Sequence, residues 1–289
     1  MKPFLSDKRI IKMPSILWQP ILHGFILTTR PKQSAALYEM IFEDGVSPLL
    51  KYARAQAANV RRLLPHTKVG IAMSYSSPLI PEAIEEMLQA GVNDLTIIPL
   101  YPQYSGTTVG SVFDDVMAFF RRSDKIIDLR FISSFYDHPK YIDYYAEKNA
   151  QAVKEHAVDT LNFSYHGIPA SYVTDGDRYP DECTETTRLI MEKLAVEIPH
   201  LQTYQSKFGP NEWLTPATDA TMKALPEQKS KKILVIAPGF VADCLETIEE
   251  LTQENKGYFL EAGGTDFYYL PPFNDDQALA EIFVDLLNK

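Results

Sequence analysis

Apolar and polar positions along the chain follow two periods. Short runs rich in β-branched and aromatic residues occur at Val69–Tyr75, Leu95–Leu100, Leu129–Phe135, Thr160–Tyr165, Leu201–Phe208, Lys232–Ala237 and Phe267–Leu270. Most stop at a proline or glycine, the pattern of strands bounded by turns. Between them lie stretches with helical spacing: Ser34–Phe42, a segment through Tyr52, Ala57 and Val60 to Leu64, Pro81–Gln89, Ser111–Arg122, Tyr141–Ala157, Thr186–Leu194, Pro216–Leu225, Asp243–Asn255 and Asp276–Leu287. Ser47 followed by Pro48 predicts a helix start, and Gly91 a helix end. This alternation predicts an α/β fold of two similar, doubly wound, Rossmann-like halves, each a parallel sheet covered by helices.

The predicted division is 1–140, a polar bridging helix over 141–157, and 158–289. The halves look internally related: Ser74-Tyr75 ends one run as Ser164-Tyr165 ends another. Three strand signals in the first half face four in the second, so the first sheet is expected to be one strand short of four. Ile16–Leu27 is the most apolar early stretch, broken by Gln19, Pro20 and His23 and too short to span a bilayer, where about 20 residues are needed. It reads either as a helix packed on the core or as an apolar lip presenting Trp18 and Phe25 to a greasy ligand or membrane surface.

Composition narrows the function classes. The 28 Lys and Arg against 38 Asp and Glu, a formal charge of −10, exclude the basic face that nucleic-acid binding requires. The two cysteines, Cys183 and Cys244, form no disulfide framework or cysteine-rich metal cluster. With no signal-peptide pattern at the start, a cytoplasmic protein is expected.

Two stretches carry chemistry. His166-Gly167 ends the run Thr160–Tyr165, which puts His166 at a strand's carboxyl end, where open α/β sheets bind ligands. From that stretch alone a turn-bonded loop histidine is an equal reading. Pro238-Gly239-Phe240 ends a second strand and opens a helix on which Glu246, Glu250 and Glu254 share one face, with Asp243 one turn earlier. The stack is either a solvated face or a cation path. His166 and Glu246 converging from two strand ends would make a sparse divalent-metal site of mixed nitrogen and oxygen ligands, suited to handing a metal on. Phosphate loops, Gly-x-Ser-x-Gly elbows and His-Glu-x-x-His are missing from the sequence.

Several motifs together resemble ferrochelatase. They are Ser164–Pro169 with Gly176-Asp177-x-Tyr179, Gln205–Pro210 with Trp213-Leu214, Pro238-Gly239-Phe240-x-x-Asp243 with Leu245-Glu246-Thr247, Phe4–Asp7, Ser47-Pro48-Leu49, and Pro99–Ser105. The resemblance implies a chelatase-type fold and insertion of Fe2+ into protoporphyrin IX or coproporphyrin III, both small-molecule substrates, in haem biosynthesis. It implies His166 as proton acceptor and metal contact, Glu246 as the partner carboxylate, and Asp243, Glu250 and Glu254 as an acidic ridge leading metal in or protons out. Trp213, Tyr101, Ser105 and Thr107 match positions around the macrocycle, and Ile16–Leu27 becomes a lip able to make weak membrane contact. Gly106 stands where cluster-bearing members carry cysteine, so no cofactor and no iron–sulfur cluster is expected. Cys244 stands where some relatives carry histidine. The family's first strand and turn precede Phe4-Leu5-Ser6-Asp7, and neither is seen here, so a mis-assigned or truncated start is expected, with Met1 inside the first helix. The alternatives are a porphyrin- or haem-binding paralogue with impaired catalysis, and a cobalt chelatase acting on a more carboxylated tetrapyrrole.

Overall fold

The computed structural model describes residues 2–194, 196–209 and 211–288, and of residues 29–34 the backbone alone. Met1 and Pro210 therefore lie outside the described residues. The chain opens with α1 (Lys2–Leu5), α2 (Ser15–Ile21), a wider π-helical turn at Leu22–Ile26, and α3 (Leu27–Ile41). Pro20 inside this helix cannot donate a backbone hydrogen bond, and the turn after it widens so that Leu27 N–H reaches Leu22 O. The predicted short helix at Ser34 is thus the end of one long, continuous arm. Ile16 is 84% and Phe25 66% exposed, whereas Leu22 and Ile41 turn inward. This exposure speaks against a helix packed on the core. No helix among the described residues is long and apolar enough to cross a membrane.

Next come α4 (Pro48–Leu63), α5 (Ile80–Gln89), β1 (Asp94–Ile97), α6 (Val109–Phe120) and β2 (Asp128–Phe131). Ser47 caps α4 as expected, its hydroxyl accepting from Leu50 N–H. Gly91, at φ +83°, closes α5. β1 and β2 pair in parallel, and Ile84, Leu88 and Val116 of α5 and α6 pack beside them.

The first sheet is shorter than expected. Val69–Tyr75 forms no strand and makes only an isolated bridge from Met73 to Leu79 among the described residues, so the sheet has two strands where three were predicted. Its one regular backbone bond is Met73 N–H to Pro78 O, while Arg61 covers Val69 O with its guanidinium. The run has strand composition, but no described strand lies alongside to supply a ladder. Phe4–Ile10 does not fill that place, being helix and turn. Backbone amides of Ile71, Ala72, Ser74 and Tyr75 should therefore exchange with deuterium within minutes, while those of Phe163 and Val235 persist for hours. Equal protection in mass-spectrometric exchange would show that the run is paired in solution.

The second sheet is complete. After α7 (Pro139–His156) come β3 (Thr160–His166), α8 (Ala170–Thr174), α9 (Tyr179–Leu194), β4 (His200–Gln205), α10 (Thr218–Ala224), β5 (Lys232–Ile236), a π-helical segment Glu246–Asn255, α11 (Lys256–Glu261), β6 (Asp266–Leu270) and α12 (Gln277–Leu287). The strand order is β4-β3-β5-β6, all parallel. Leu161, Phe163 and Tyr165 point to one face and join the main core with Tyr141 and Tyr145 of α7. Asn162 and Ser164 point to the other and are satisfied by Thr203, Gln205 and Thr218. α12 returns to pack on α4 and α7, so the last helix closes over the earlier part of the chain.

Candidate active site

The strand order reverses between β3 and β5: the chain runs outward from β3 to β4, crosses, and runs outward again from β5 to β6. Loops leaving the two central strands diverge there and open a crevice at their carboxyl ends. His166 is the last residue of β3, and Glu246 begins the helix that follows β5. Gly167 turns the chain away from the sheet. A Cβ on it would lie 2.9 Å from Gln205 O and 3.2 Å from the Trp213 ring, so close approach, rather than a left-handed backbone, requires glycine.

His166 Nδ1 lies 2.7 Å from Gly167 O. A carbonyl can only accept, so Nδ1–H donates to it, and Nε2 is the nitrogen that this bond leaves uncommitted. The acidic partners stand on the π-helical segment, where i→i+5 bonding widens the turn. Gln205, in register with His166, donates from Nε2 to Glu246 O at 3.0 Å, and its Oε1 accepts from Ser164. A buried polar chain thus runs from the sheet interior to the first residue of the acidic helix. Glu250 lies deeper. Burial raises its carboxyl above the usual range, two bonds from Ser206 and the nearby His166 oppose that rise, and Glu246 adds to it. Its charge therefore senses both of the other groups.

Tyr101 approaches from the first half of the chain. The ring is 39% exposed, but crowding around its hydroxyl, with the negative charge of Glu246 next, pushes that group up to about 12. Tyr38 of α3 faces the same carboxylate and is raised for the same reasons. Cys244 also lies beside Glu246, and burial drives its thiol well up. His166, Glu246, Glu250 and Tyr101 are the predicted residues that the fold brings together. Trp213 stands behind them, 7% exposed, against Gly167 and Phe208, with its indole N–H lacking a protein partner.

The other predicted residues are committed elsewhere. Asp243 accepts from Thr247 and Tyr269 on one oxygen and from Asn274 on the other, which makes it a strut of the loop after β5. Glu254 is exposed and accepts from Tyr258 at 2.6 Å. Ser105 is 1% exposed and donates to Asp177 at 2.8 Å, as does Gly106 N–H, while Thr107 bonds to the Ser105 hydroxyl. This loop is bolted to the far half by its serine. Among the described residues, no group of three or more His, Cys, Asp or Glu is arranged to hold a metal ion.

Sequence reading missed the supporting roles of Gln205, Ser206 and Tyr38. A signal existed for the first two: a polar pair at the carboxyl end of the strand beside His166. Tyr38 carried none, because only the folded arm brings α3 against the acidic helix.

Two parallel sheets covered by helices, with His166 at a strand end and Glu246 just beyond another, define a chelatase-type fold. SirB from Bacillus subtilis, in a structure with Fe3+, shares the fold at a TM-score of 0.59 and 11% identity, over 84% of this chain and 91% of its own. The sirohydrochlorin chelatase SirB from Bacillus subtilis subspecies spizizenii, in complex with cobalt, gives 0.53 and 11% over 81% and 87%. Sequence goes further than fold. The ferrochelatase family model matches residues 1–289. A coproporphyrin III ferrochelatase of Enterococcus faecalis is 54% identical, over 100% of this chain and 92% of its own length. A ferrochelatase of Pectobacterium atrosepticum is 41% identical over 99% and 90%. The chain belongs to the ferrochelatase family.

Proposed function

We propose that this ferrochelatase inserts Fe2+ into coproporphyrin III at the crevice between β3 and β5. The observation that carries the site is His166 at a strand end, its Nδ1 held by the Gly167 carbonyl, near Glu250 and, through Gln205, the start of the acidic helix. A free-base porphyrin loses two pyrrole N–H protons, and Fe2+ takes their place without a change of oxidation state. His166 accepts protons as pyrrole nitrogens release them, and Glu246 is the carboxylate that meets the metal or relays the proton. Two such ligands hold Fe2+ weakly, which lets the metal leave for the macrocycle's four nitrogens. Trp213 and Tyr101 wall the ring, Ser105 and Thr107 shape the loop that carries Tyr101, and the apolar lip over Ile16–Leu27 covers the mouth and can touch a membrane surface from the cytoplasm. The chemistry requires no resident cofactor and no iron–sulfur cluster.

The relative named for coproporphyrin III, at 54% identity, favours that macrocycle over protoporphyrin IX. Purified protein under anaerobic conditions, given Fe2+ and each porphyrin in turn, should consume the free-base absorbance bands of coproporphyrin III faster. Faster use of protoporphyrin IX would overturn the substrate assignment. Tight porphyrin binding without metallation would identify a binding paralogue instead.

A further inference from the structure

We propose that Ser206 is a positioning residue for metallation: it clamps Glu250 so that a fixed carboxylate stands beside His166. The inference rests on the iron-insertion reading above. Ser206 follows Gln205, the last residue of β4, which is paired in register with His166. Its φ is +66°, in the left-handed region that serine seldom occupies. That conformation turns both of its donors toward one side chain. The backbone N–H reaches Glu250 Oε1 at 2.6 Å and the hydroxyl reaches Oε2 at 2.5 Å.

Glycine or asparagine would make the same turn with less strain, so the turn itself does not call for serine. A hydroxyl at this position does something that glycine could not: it adds a second charge-assisted bond to the same carboxylate. Gln205 holds Glu246 O, and the next residue holds the Glu250 carboxylate. Two consecutive residues of one strand end therefore pin two successive acidic positions of the π-helical segment. With both oxygens committed, Glu250 acts as a stationary charge and not as a carrier that swings metal inward.

The neighbouring ionisable groups are accounted for. His166 from β3 and Glu246 from the same segment face Glu250. Tyr38 of α3 faces Glu246. Lys223 of α10 is engaged over the Tyr258 ring at 3.8 Å and near Asp219, and Glu249 senses Glu254. In the step concerned, a pyrrole N–H bond breaks, its electron pair stays on nitrogen for the metal, and the proton bonds to His166 Nε2. The imidazolium so formed is attracted by Glu250. Ser206 touches neither metal nor macrocycle and acts through Glu250 alone.

The test uses the full chain with Ser206→Gly and Ser206→Ala, measuring anaerobic metallation of a porphyrin by Fe2+ and, separately, by Zn2+. Glycine relaxes the backbone and alanine keeps its strain, so a loss common to both belongs to the hydroxyl. Each variant should lose about tenfold or more in kcat, while the metal KM stays within about twofold of wild type. Placing Ser206→Gly in a Glu250→Gln background should add nothing further, since the clamp then has no charge to hold. Unchanged porphyrin binding and thermal melting would separate positioning from folding. A raised metal KM with kcat retained would overturn the clamp and make Glu250 a metal-delivery ligand. A wild type that metallates, with both variants matching it, would overturn the clamp and leave the iron-insertion reading intact. A wild type that fails to metallate would overturn both.

Discussion

Replacing His166 by alanine should lower the metallation rate by about 10²- to 10⁴-fold, the usual contribution of a positioned general base. The loss should fall on turnover, with the fold and much of the porphyrin affinity preserved. His166 is only half-buried at the end of β3, and its ring makes a short bond to the neighbouring Gly167 carbonyl. Removing the ring opens no hole in the core, where Leu161, Phe163 and Tyr165 of the same strand are fully buried. Stopped-flow absorbance with coproporphyrin III and Fe2+ would measure the rate, and circular dichroism the fold. Near-normal turnover in this variant would remove His166 from the reaction.

The second large effect separates two carboxylates on one helix. Glu246→Gln keeps size and hydrogen-bonding capacity but deletes the charge that Glu250, Tyr38 and Tyr101 all sense. It should depress turnover by about 10²-fold or more. Glu254→Gln, two turns along, removes only an exposed charge beside the Tyr258 hydroxyl and should leave turnover within about twofold, as surface changes usually do. The distinction follows from position: Glu246 starts the segment at the crevice, and Glu254 has already turned to the surface. Equal losses in the two variants would mean that the acidic helix works as one undivided path.

How far these features could be read in advance depended on whether the information was local. β3 was legible because Leu161, Phe163 and Tyr165 alternate with polar residues and stop at His-Gly, all within one stretch. The α4 start was legible for the same reason, since Ser47 and Pro48 act on their own turn. Val69–Tyr75 was misread because strand composition says nothing about whether a partner lies alongside. The helix after β5 was found, but not its π-helical bonding, because side-chain periodicity near i+4 fits either helix over so short a run. Ser105 was read within its own loop, and only the fold brings Asp177 to it. Likewise, nothing around Ser206 announces a left-handed backbone, because serine is the wrong residue from which to infer one. Local chemistry was readable, and tertiary partners were not.

The polar side chains that cross between the earlier and later parts of the chain have a mechanical consequence. Gln56 donates to Val241 O and Asn274 O, Asn59 to Asp275 O, and Gln103 to Thr186. Arg130 caps the end of α12 through Leu286 O and Leu287 O, and Tyr141 reaches Pro238 O. These struts come from α4, from the loop after β1, from β2 and from α7, so they cannot all stretch about a single axis. The body behaves as a braced frame, stiff against hinge bending. By contrast, the arm made of α2, the π turn and α3 buries, among the described residues, only Leu22 and Ile41, and is stapled at its root by Trp18 Nε1–H to Leu5 O. On the proposed reading, a flat, rigid guest would enter past this thinly buried arm rather than between two closing jaws, toward a strand end held by a cross-braced body.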